Sequence, residues 1–580
     1  MSLWTNMYIG VTGLKTQQNA INITAHNLTN VNTEGYVRQQ ASFSDLSYRQ
    51  VGLVSGVATW QTGYGVESDR TRHIRDLFLD ASYREEYGRE AFYDVQYDAT
   101  VEIEDLFGEL EGETFQQTLL NFREALEELA KTPEASDLAT RSGVVLYAEE
   151  FISRANAIYE DLVTYQTELD NQVKSMVDQI NSLGEQIVYY NDLIRNYEAT
   201  NVETASDYRD QRDLLLDKLG QLVDIDYKEN ADGVVTVKVE GVNFITEDAV
   251  FKMATAQLDT VDHGSSFVTV VWPYLENAEV FNLSATVSTA LGNDVGKLKS
   301  TLLARGDYVA NYTDLPADDA TAEEIAIYEK NVAYSSIMKT EAEFDRLING
   351  IVELVNSILC PEVETTLNGT YTTESGETVT YSGETVKILD LDNCSYGTDE
   401  NSTPGTELFS RSDAERYTVL YDSSGEKIYV YNEVNEFGTT SLYTLGNLEV
   451  NQTLLENYAY LPLTTASGDA DYDRARQLVD LFDVEFDNLN PENTTNKTFM
   501  EYYESMINEI ANEGTLYKAM YDNQNTVVSN LDNSREAFYG VSSDEELTAL
   551  IKYQDAYMAN SRYINVISEM LENIIERMGV

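Results

Sequence analysis

The sequence is poor in basic residues. Its 580 residues include 38 Lys and Arg against 100 Asp and Glu, which gives a formal net charge of −62 at pH 7. Nucleic-acid binding needs a basic face for the phosphates, and anionic lipid surfaces attract the same positive charge. The composition therefore excludes nucleic acid as an expected partner and argues against binding to an anionic membrane surface.

Histidine and cysteine are also scarce. The only histidines are His26, His73 and His263, and the only cysteines are Cys360 and Cys394. Histidines this far apart offer little material for a metal site or a catalytic triad. Two cysteines are too few for a disulfide framework, and the sequence does not decide whether they pair. No HExxH, Walker, GxGxxG or GxSxG context is present, so we expect no enzyme activity and no cofactor.

Long apolar runs are missing as well. No stretch of about 18 consecutive apolar residues occurs, so we expect no membrane-spanning helix and no membrane insertion. The first residues lack a basic segment followed by a continuous apolar block, and a Sec signal peptide is therefore not expected. A protein of this kind that leaves the cytoplasm needs another export route.

The sequence does contain a hydrophobic seam near each end. In both seams, apolar residues recur at alternating spacings of three and four, the a/d pattern of a coiled coil. Gln18 interrupts the first seam and Asn560 interrupts the second. The first seam consists of Trp4, Met7, Val11, Leu14, Ile21, Ala25 and Leu28, and the second of Leu550, Tyr553, Tyr557, Ile564, Ile567, Leu571, Ile574 and Met578.

A seam this narrow needs a partner helix to cover it. We interpret the matched pair as subunit-interface residues, with the two ends pairing with each other or with neighbouring copies. Two amphipathic helices packed on one ordinary core remain an open alternative. Residues 1–40 hold two basic residues against one acidic (+1), whereas the last forty hold three against seven (−4). The first segment can therefore be crowded against copies of itself without strong repulsion.

The pattern along the chain predicts a mainly α fold with an inserted β domain. We expect terminal helices that form a coiled-coil-like polymer core, an elongated helical-bundle body and an outward β-rich domain. The predicted divisions are 1–75 and 541–580 for the axial core, 76–360 and 465–540 for the body, about 222–290 for a small β-hairpin region within it, and 361–464 for the inserted domain.

Three patterns support this division. A seam from Ala148 to Tyr197 predicts a helix of ~50 residues, roughly 75 Å long, which is longer than a compact domain needs. Alternation around an Asp232-Gly233 turn predicts a β-hairpin. Residues 361–464 are rich in Thr, Ser, Tyr and Gly with short alternating runs, which predicts a hydrated β domain.

Two acidic segments are interpreted as helix starts. Ser543 to Glu546 has the Ser-x-x-Glu spacing of a capping box. Asp469 to Asp473 begins like a calcium-binding EF-hand loop, but Arg474 stands where that loop needs glycine. Acidic residues also stabilise a helix N-terminus, so we prefer that interpretation.

The segment Ala-His-Asn-Leu-Thr-Asn-Val-Asn-Thr-Glu-Gly-Tyr, residues 25–36, resembles the N-terminal signature shared by axial proteins of the bacterial flagellum. Thr29 and Glu34 depart from its usual Ala and Pro. The second seam resembles the matching C-terminal signature, and residues 206–214 resemble the helical domain of the FlgK family of hook-associated proteins. The motif residues are Asn27, Asn30, Asn32, Gly35, Tyr36, Asp207, Asp210, Gln211, Arg212 and Asp213.

This resemblance implies a structural subunit of the hook–filament junction that self-assembles as a ring-like homo-oligomer through its terminal helices. It implies as partners the hook protein, a second hook–filament junction protein, the type III export apparatus and a flagellar export chaperone at the C-terminal helix. It also implies secretion to the extracellular flagellum and termini that are disordered before assembly. The resemblance does not extend to residues 361–464.

Three alternatives remain open. A hook or distal-rod protein would share the terminal motifs but should lack the long 148–197 helix and the Asp207–Asp213 segment. An enzyme carried on a flagellar scaffold would need its chemistry within 361–464, which contains no histidine. A cytoplasmic coiled-coil protein would share only the seams.

Overall fold

The computed structural model is mainly helical with a β-rich insert, as the sequence predicts. The residues it describes are 3–54, 57–69, 71–108, 114–131, 137–200, 203–258, 267–317, 320–412, 414–434, 441–491 and 493–578. No helix within these ranges is long and apolar enough to cross a lipid bilayer.

Helices, several of them long, make up both ends and most of the body of the molecule. They are α1 (Leu3–Thr29), α2 (Leu77–Phe107), α3 (Phe115–Leu129), α4 (Leu138–Glu198), α5 (Ser206–Leu222), α6 (Lys297–Arg305), α7 (Ala322–Asn331), α8 (Ser336–Leu359), α9 (Gln452–Glu456), α10 (Tyr472–Asp480), α11 (Phe499–Tyr539) and α12 (Ser543–Met578). Asp471 caps α10, so the acidic segment before it is a helix start, as predicted.

The strands form small antiparallel sheets. They are β1 (Gln39–Gln40), β2 (Phe43–Asp45), β3 (Tyr48–Val54), β4 (Val57–Gly63), β5 (Val66–Ser68), β6 (Arg72–His73), β7 (Ile225–Glu229), β8 (Val235–Val239), β9 (Val242–Ile245), β10 (Ala254–Gln257), β11 (Val268–Trp272), β12 (Ala278–Glu279), β13 (Glu362–Thr373), β14 (Thr378–Leu389), β15 (Phe409–Arg411), β16 (Tyr417–Tyr421), β17 (Lys427–Tyr431) and β18 (Leu448–Val450). β7 and β8 pair across the predicted Asp232-Gly233 turn, which confirms that hairpin.

Helix α4 is the backbone of the elongated body. It has 61 residues and is therefore ~90 Å long, which confirms the long helix that its apolar spacing predicts. Its first half, through Leu169, lies in the main hydrophobic core. Its second half, from Val173, lies in a second core together with the sheets β7–β9 and β10–β12. One helix thus joins two cores.

The main core is rich in phenylalanine. Phe115 of α3 lies 5.0 Å from Phe344 of α8, measured between ring centroids. Phe122 of α3 lies 5.9 Å from Phe409 of β15. This core therefore joins helices from before the insert to residues inside it.

Residues 361–464 divide into two parts. The strands β13, β14, β17 and β16 close into a barrel around a small core of Leu367, Leu420 and Val430. Much of the remainder, including Leu408 and Tyr443, packs in the main core of the body. The predicted β structure is present, but the expectation of a wholly outward, hydrated domain is wrong for this second part. The other domain boundaries stay predictions.

Cys360 and Cys394 are buried free thiols. They lie in the main core, where they pack as small apolar side chains.

Six charged side chains, four of them buried and two partly buried, join α2 and the residues before it to α5 and α11. The members of this charge cluster are Arg75, Asp80, Arg84, Asp213, Asp217 and Arg535. Three positive charges balance three negative ones, so the cluster as a whole is neutral. Such balance is needed because a buried charge without a partner carries a large desolvation penalty.

Two aspartates bridge the arginines of the charge cluster. Asp217 accepts from Arg84 at 2.6 Å and from Arg535 at 2.7 Å. Asp80 accepts a hydrogen bond from Arg75 at 2.9 Å and forms an ion pair with Arg535 at 3.0 Å. Burial alone lowers the pKa of Arg75, but the nearby aspartates outweigh burial and hold that pKa above its usual value. All three arginines therefore stay charged.

A second group of buried charges lies on α8. Glu341, Glu343 and Asp345 are all buried. Asp345 accepts hydrogen bonds from the backbone N–H groups of Tyr312 at 2.9 Å and Leu445 at 2.7 Å. It therefore holds two loops, one before α8 and one within the insert, against the same helix.

Glu343 of this group lies near a lysine and a side-chain amide. It accepts a hydrogen bond from the side chain of Asn490 at 2.8 Å. Burial raises its pKa to about 8, although nearby Lys339 opposes that shift. Lys339 itself is paired with Glu509 and Glu513. The folded protein therefore binds a proton at Glu343 more tightly than the unfolded chain does.

We predict that Asp217→Ala destabilises the protein by roughly 3 kcal/mol or more, because it leaves buried arginine charge unpaired. The matched control is Asp248→Ala, which breaks the exposed pair between Asp248 and Arg195 and should cost less than about 1 kcal/mol. Urea denaturation of the purified variants measures both effects. Equal destabilisation by the two substitutions would contradict the role of the charge cluster.

We predict that Glu343→Gln changes how stability depends on pH. Because the folded-state pKa of Glu343 is raised to about 8, its contribution favours folding below the unfolded pKa of about 4.3 and is lost as pH rises towards 8. Relative to wild type, the variant should gain stability over this window, by an amount on the order of a few kcal/mol. Denaturation at pH 5 and pH 9 measures the difference, with exposed Glu353→Gln on the same helix as the control. A constant difference between variant and wild type would refute the prediction.

Candidate assembly surface at the terminal helices

The first and last helices pack against each other as an antiparallel pair. Gly10 of α1 lies beside Ile564 of α12, and Gly13 lies beside Asn560. At the other end of the pair, the side chain of Asn27 binds that of Glu546. The two ends of the chain therefore pair within one copy.

Helix α1 makes this contact through small residues. A Cβ atom on Gly10 would lie 2.8 Å from Cγ1 of Ile564, and one on Gly13 would lie 3.0 Å from the amide of Asn560. Contacts this short show that the two backbones approach closely because side chains are missing. The buried face of α1 consists of Gly10, Gly13, Thr16, Ala20, Thr24 and Asn27.

The predicted seam of α1 is therefore not the face that α12 covers. Trp4 is 69 % exposed and Val11 is 45 % exposed. Ala25 is also exposed, and the other seam residues, Met7, Leu14, Ile21 and Leu28, are only half-buried. At about 100° per residue, the buried face is rotated by roughly one third of a turn from the seam. The two termini do pair with each other, but the closest contact of α1 is made by its small residues and not by its seam. That the seam residues form a subunit interface stays a prediction.

The predicted seam of α12 does face α1. Ile567 is only 5 % exposed, and Leu550, Tyr553, Tyr557, Ile564 and Leu571 are half-buried. Ile574 is exposed, and the side chain of Met578 lies outside the described residues. The polar break at Asn560 coincides with the close approach of Gly13. Helix α12 thus meets the small face of α1 with its apolar face.

The segment between α1 and α2 covers a further side of the pair. The side chain of Asn19 donates to Oγ of Ser68 in β5 at 2.9 Å. The ring of Phe43 in β2 lies 6.2 Å from that of Tyr553 in α12, edge to face. The paired strands β2 and β5 thus contact both helices of the pair.

Much apolar surface on the pair remains uncovered. Besides Trp4 and Val11, Tyr8 of α1 is exposed. The exposed apolar residues of α12 are Leu547, Ile551, Met558, Tyr563, Val566, Met570, Ile574 and Ile575. So many exposed apolar side chains on one helix pair point to an interaction site.

Asn27 is the central residue of the N-terminal motif. Its Oδ1 accepts from the hydroxyl of Tyr36 at 2.8 Å and from the backbone N–H of Gln39 at 3.0 Å. Its Nδ2 donates to the carbonyl of Gln39 at 2.8 Å and to Glu546 at 3.1 Å. Every hydrogen-bonding position of this buried amide is therefore used, which explains why the position needs asparagine.

The other motif residues of this segment shape the end of α1. Asn30 donates from its side chain to the carbonyl of His26 at 3.0 Å. Gly35 has a φ of +74°, which few other residues adopt readily. Asn32 is exposed. Nδ1 of His26 lies 3.0 Å from the hydroxyl of Tyr36, so this histidine has a structural hydrogen bond within the motif.

Arg38 and Glu546 connect the motif to the start of α12. Nε of Arg38 donates to Glu546 at 2.7 Å, and its Nη1 donates to Glu545 at 2.9 Å. Because the buried carboxylate of Glu546 binds Arg38 and Asn27, the capping box predicted for Ser543 to Glu546 is wrong. The sequence does single out Glu546, but its spacing from Ser543 suggested a hydrogen bond within the helix start rather than one to Asn27 and Arg38.

Helix α5 receives the motif on one of its sides. Asp210 accepts from the backbone N–H of Val37 at 3.0 Å, and Asp207 accepts from the side chain of Gln39 at 2.9 Å. Burial is the main cause that raises the pKa of Tyr36, and these two aspartates add to it. The terminal pair is therefore fixed to the body through α5.

The remaining α5 motif residues point elsewhere. Asp213 belongs to the charge cluster through Arg75. Arg212 is buried and donates to the carbonyl of Gly233 at 2.6 Å in the turn between β7 and β8. Gln211 is exposed. The structure thus brings the N-terminal motif to Asp207 and Asp210 but gives Arg212 and Asp213 different partners.

This arrangement suits binding between proteins. Among the described residues, no group of three or more His, Cys, Asp or Glu side chains is placed to hold a metal ion. The buried Asn27 is hydrogen-bonded within the motif, and many of the exposed side chains on the pair are apolar. The surface therefore offers apolar contact to a protein partner.

Comparisons with known proteins fit this geometry. The family model described as flagellar hook-associated protein FlgK helical domain matches residues 100–369. The model described as flagella basal body rod protein matches residues 7–36, which cover most of α1 and its motif. The model described as flagellar basal body rod FlgEFG protein C-terminal matches residues 538–577, which cover most of α12.

Full-length relatives give the same result. The chain is similar to flagellar hook-associated protein 1 of Bacillus subtilis (strain 168), with 26 % identity over 98 % of this chain and 97 % of the relative. The chain is also similar to the protein of that name from Escherichia coli (strain K12), with 22 % identity over 97 % of this chain and 98 % of the relative.

A solved structure shares the fold. It is described as the flagellar hook junction protein FlgK from Burkholderia pseudomallei, with a TM-score of 0.50 and 13 % identity, covering 79 % of this chain and 99 % of that one. The terminal matches, the helical-domain match and the near full-length relatives agree. The chain is therefore similar to FlgK-type flagellar hook-associated proteins in its helical domain, in both terminal segments and over nearly its whole length.

Proposed function

We propose that this protein is a structural subunit of the bacterial flagellum that forms the junction between hook and filament by self-assembly through α1 and α12. The observation that carries the proposal is the exposed apolar surface on the terminal helix pair. The relatives named hook-associated protein 1 span nearly the whole chain and support the same role. The family is a structural one, so no catalysis is involved.

Burial of the exposed surface supplies the driving force for assembly. Apolar area removed from water contributes roughly 25 cal/mol per Å², so a few side chains the size of Trp4 and Met570 contribute several kcal/mol at each contact. The polar motif does not compete for this contact, because Asn27, Arg38 and Glu546 bind one another. Assembly therefore needs no rearrangement of the motif.

The partners follow from the place of the protein in the flagellum. We propose further copies of this chain in a ring-like oligomer, the hook protein on one side and a second hook–filament junction protein on the other. The site is extracellular, so the chain passes the type III export apparatus. An export chaperone that covers α12 would keep its exposed apolar residues from associating before export.

A hook or distal-rod protein of the same superfamily is the second candidate. The matches at residues 7–36 and 538–577 do not separate the two candidates. Their descriptions name rod proteins, and both candidates share these terminal motifs. The match at 100–369 favours the junction role, because its description names the FlgK helical domain.

Deletion of the gene separates the two candidates. We expect the deletion strain to keep its hooks and to lose its filaments, because a filament needs the junction to attach to the hook. Electron microscopy of the cells gives the measurement, and a plasmid copy of the gene should restore filaments. Loss of the hooks themselves would favour the hook or rod role.

Substitution of one exposed seam residue tests the assembly surface. We predict that Val11→Asp abolishes incorporation into flagella while the free chain stays folded, because a charge would be buried in an apolar contact at high cost. Val11→Leu keeps the surface apolar and is the matched control, which should incorporate normally. Immunoblots of sheared flagella and hooks measure incorporation, and circular dichroism checks the fold. Normal incorporation of Val11→Asp would count against the proposed surface.

A further inference from the structure

Two exposed apolar rows lie on the terminal pair. We define the α1 row as Trp4, Tyr8 and Val11, and the α12 row as Val566, Met570 and Ile574. All six side chains are exposed, and Met570 is 49 % exposed. Their spacings of three and four place the members of each row on one side of their helix. Each row is thus a continuous apolar strip.

The two rows lie at the same level along the pair. Gly10 is opposite Ile564 in the antiparallel arrangement. Trp4 lies six residues before Gly10 and Met570 lies six residues after Ile564. At ~1.5 Å per residue, both lie about 9 Å from that reference point in the same direction. Trp4 and Met570 therefore share one level.

One copy leaves both rows uncovered. Helix α12 of the same chain occupies the side of α1 that holds Gly10 and Gly13, and α1 occupies the side of α12 that holds Asn560 and Ile564. The exposure of both rows shows that neither helix reaches across to cover the other's row. Cover must come from a different molecule.

Charge favours a contact between unlike helices of two copies. Helix α1 carries one charged residue other than histidine, Lys15, for a net charge of +1. Helix α12 carries seven acidic and three basic residues, for a net charge of −4. Two α12 helices would repel each other, whereas α1 and α12 attract each other.

We propose that the α1 row of one copy packs on the α12 row of the next copy. This inference rests on the proposed function, since it names the contact by which the subunits join. The contact uses different surfaces on the two partners, and such head-to-tail contacts generate rings or helical assemblies. Rotation about an axis parallel to the helices leaves the position of each residue along that axis unchanged. Trp4 of one copy therefore meets Met570 of the next copy.

Cross-linking between two single-cysteine versions tests the contact. Cells express one copy with Trp4→Cys and another with Met570→Cys, each with a different epitope tag, and the purified hook fraction is oxidised. We expect a mixed dimer that carries both tags. The two buried native cysteines are present in every strain, so the unsubstituted protein is the background control. A second pair at one level, Tyr8→Cys with Val566→Cys, guards against the loss of the Trp4 ring.

Each outcome is decisive. A mixed dimer without same-variant dimers supports the proposal. A same-variant dimer of Trp4→Cys or Met570→Cys shows a contact between like helices and overturns it. Incorporation of both versions of either pair without any mixed dimer overturns it as well.

A measurement on the unsubstituted protein covers the case in which none of the variants is incorporated. Hydroxyl-radical oxidation of Trp4 and Met570 is compared between the free chain and the hook fraction. We expect both side chains to be protected in the hook fraction, and unchanged reactivity of either one overturns the proposal. If the unsubstituted chain is missing from that fraction, the proposed function itself has failed, which is a different result.

Discussion

The charge cluster of three arginines and three aspartates fixes how the terminal pair is attached to the rest of the molecule. Both chain crossings between the pair and the body pass through it, because Arg75 lies two residues before α2 and Tyr539 ends α11 with a hydrogen bond to Asp80. Since each charge offsets the desolvation of its neighbours, the cluster holds only as a whole. Helix α5 supplies Asp217 to the cluster, and its Asp210 binds the N-terminal motif. One helix thereby sets the position of the assembly surface.

Helix α1 has two different faces: its small residues pack against α12, and its bulky residues are exposed. Glycine in a helix interior costs about 1 kcal/mol relative to alanine, so Gly10 and Gly13 weaken α1 on its own. In return, α12 approaches closely enough for its apolar face to be covered by the α1 backbone. The bulky residues Trp4 and Val11 are then left for a different contact. A helix with leucine at the glycine positions would keep its own α12 at a greater distance.

The spacing of apolar residues predicted the helices and one hairpin, because it shows which face of an element is apolar. It does not show which other element covers that face. It therefore found α1, α4 and α12, but it assigned α1 the wrong contact face, since glycine carries no hydrophobic signal. The spacing of Gly10 and Gly13 was the available clue. Glu546 was assigned to a local cap because its partners, Asn27 and Arg38, lie more than 500 residues away. Periodicity also could not predict that residues around Phe409 pack in the main core, because their contacts are distant in sequence.

The strong acidity of the chain and the near neutrality of α1 have a joint consequence for assembly. A chain with a net charge of −62 repels its copies, but salt at physiological concentration screens exposed charges beyond about 8 Å. Repulsion therefore acts mainly where surfaces approach closely. The terminal pair holds α1, with Lys15 as its one charged residue other than histidine. Close contact between copies is thus least costly there, and the bodies can remain separated by screened solvent. The exposed apolar residues and the low charge of α1 therefore both favour the terminal pair as the place where copies come into contact.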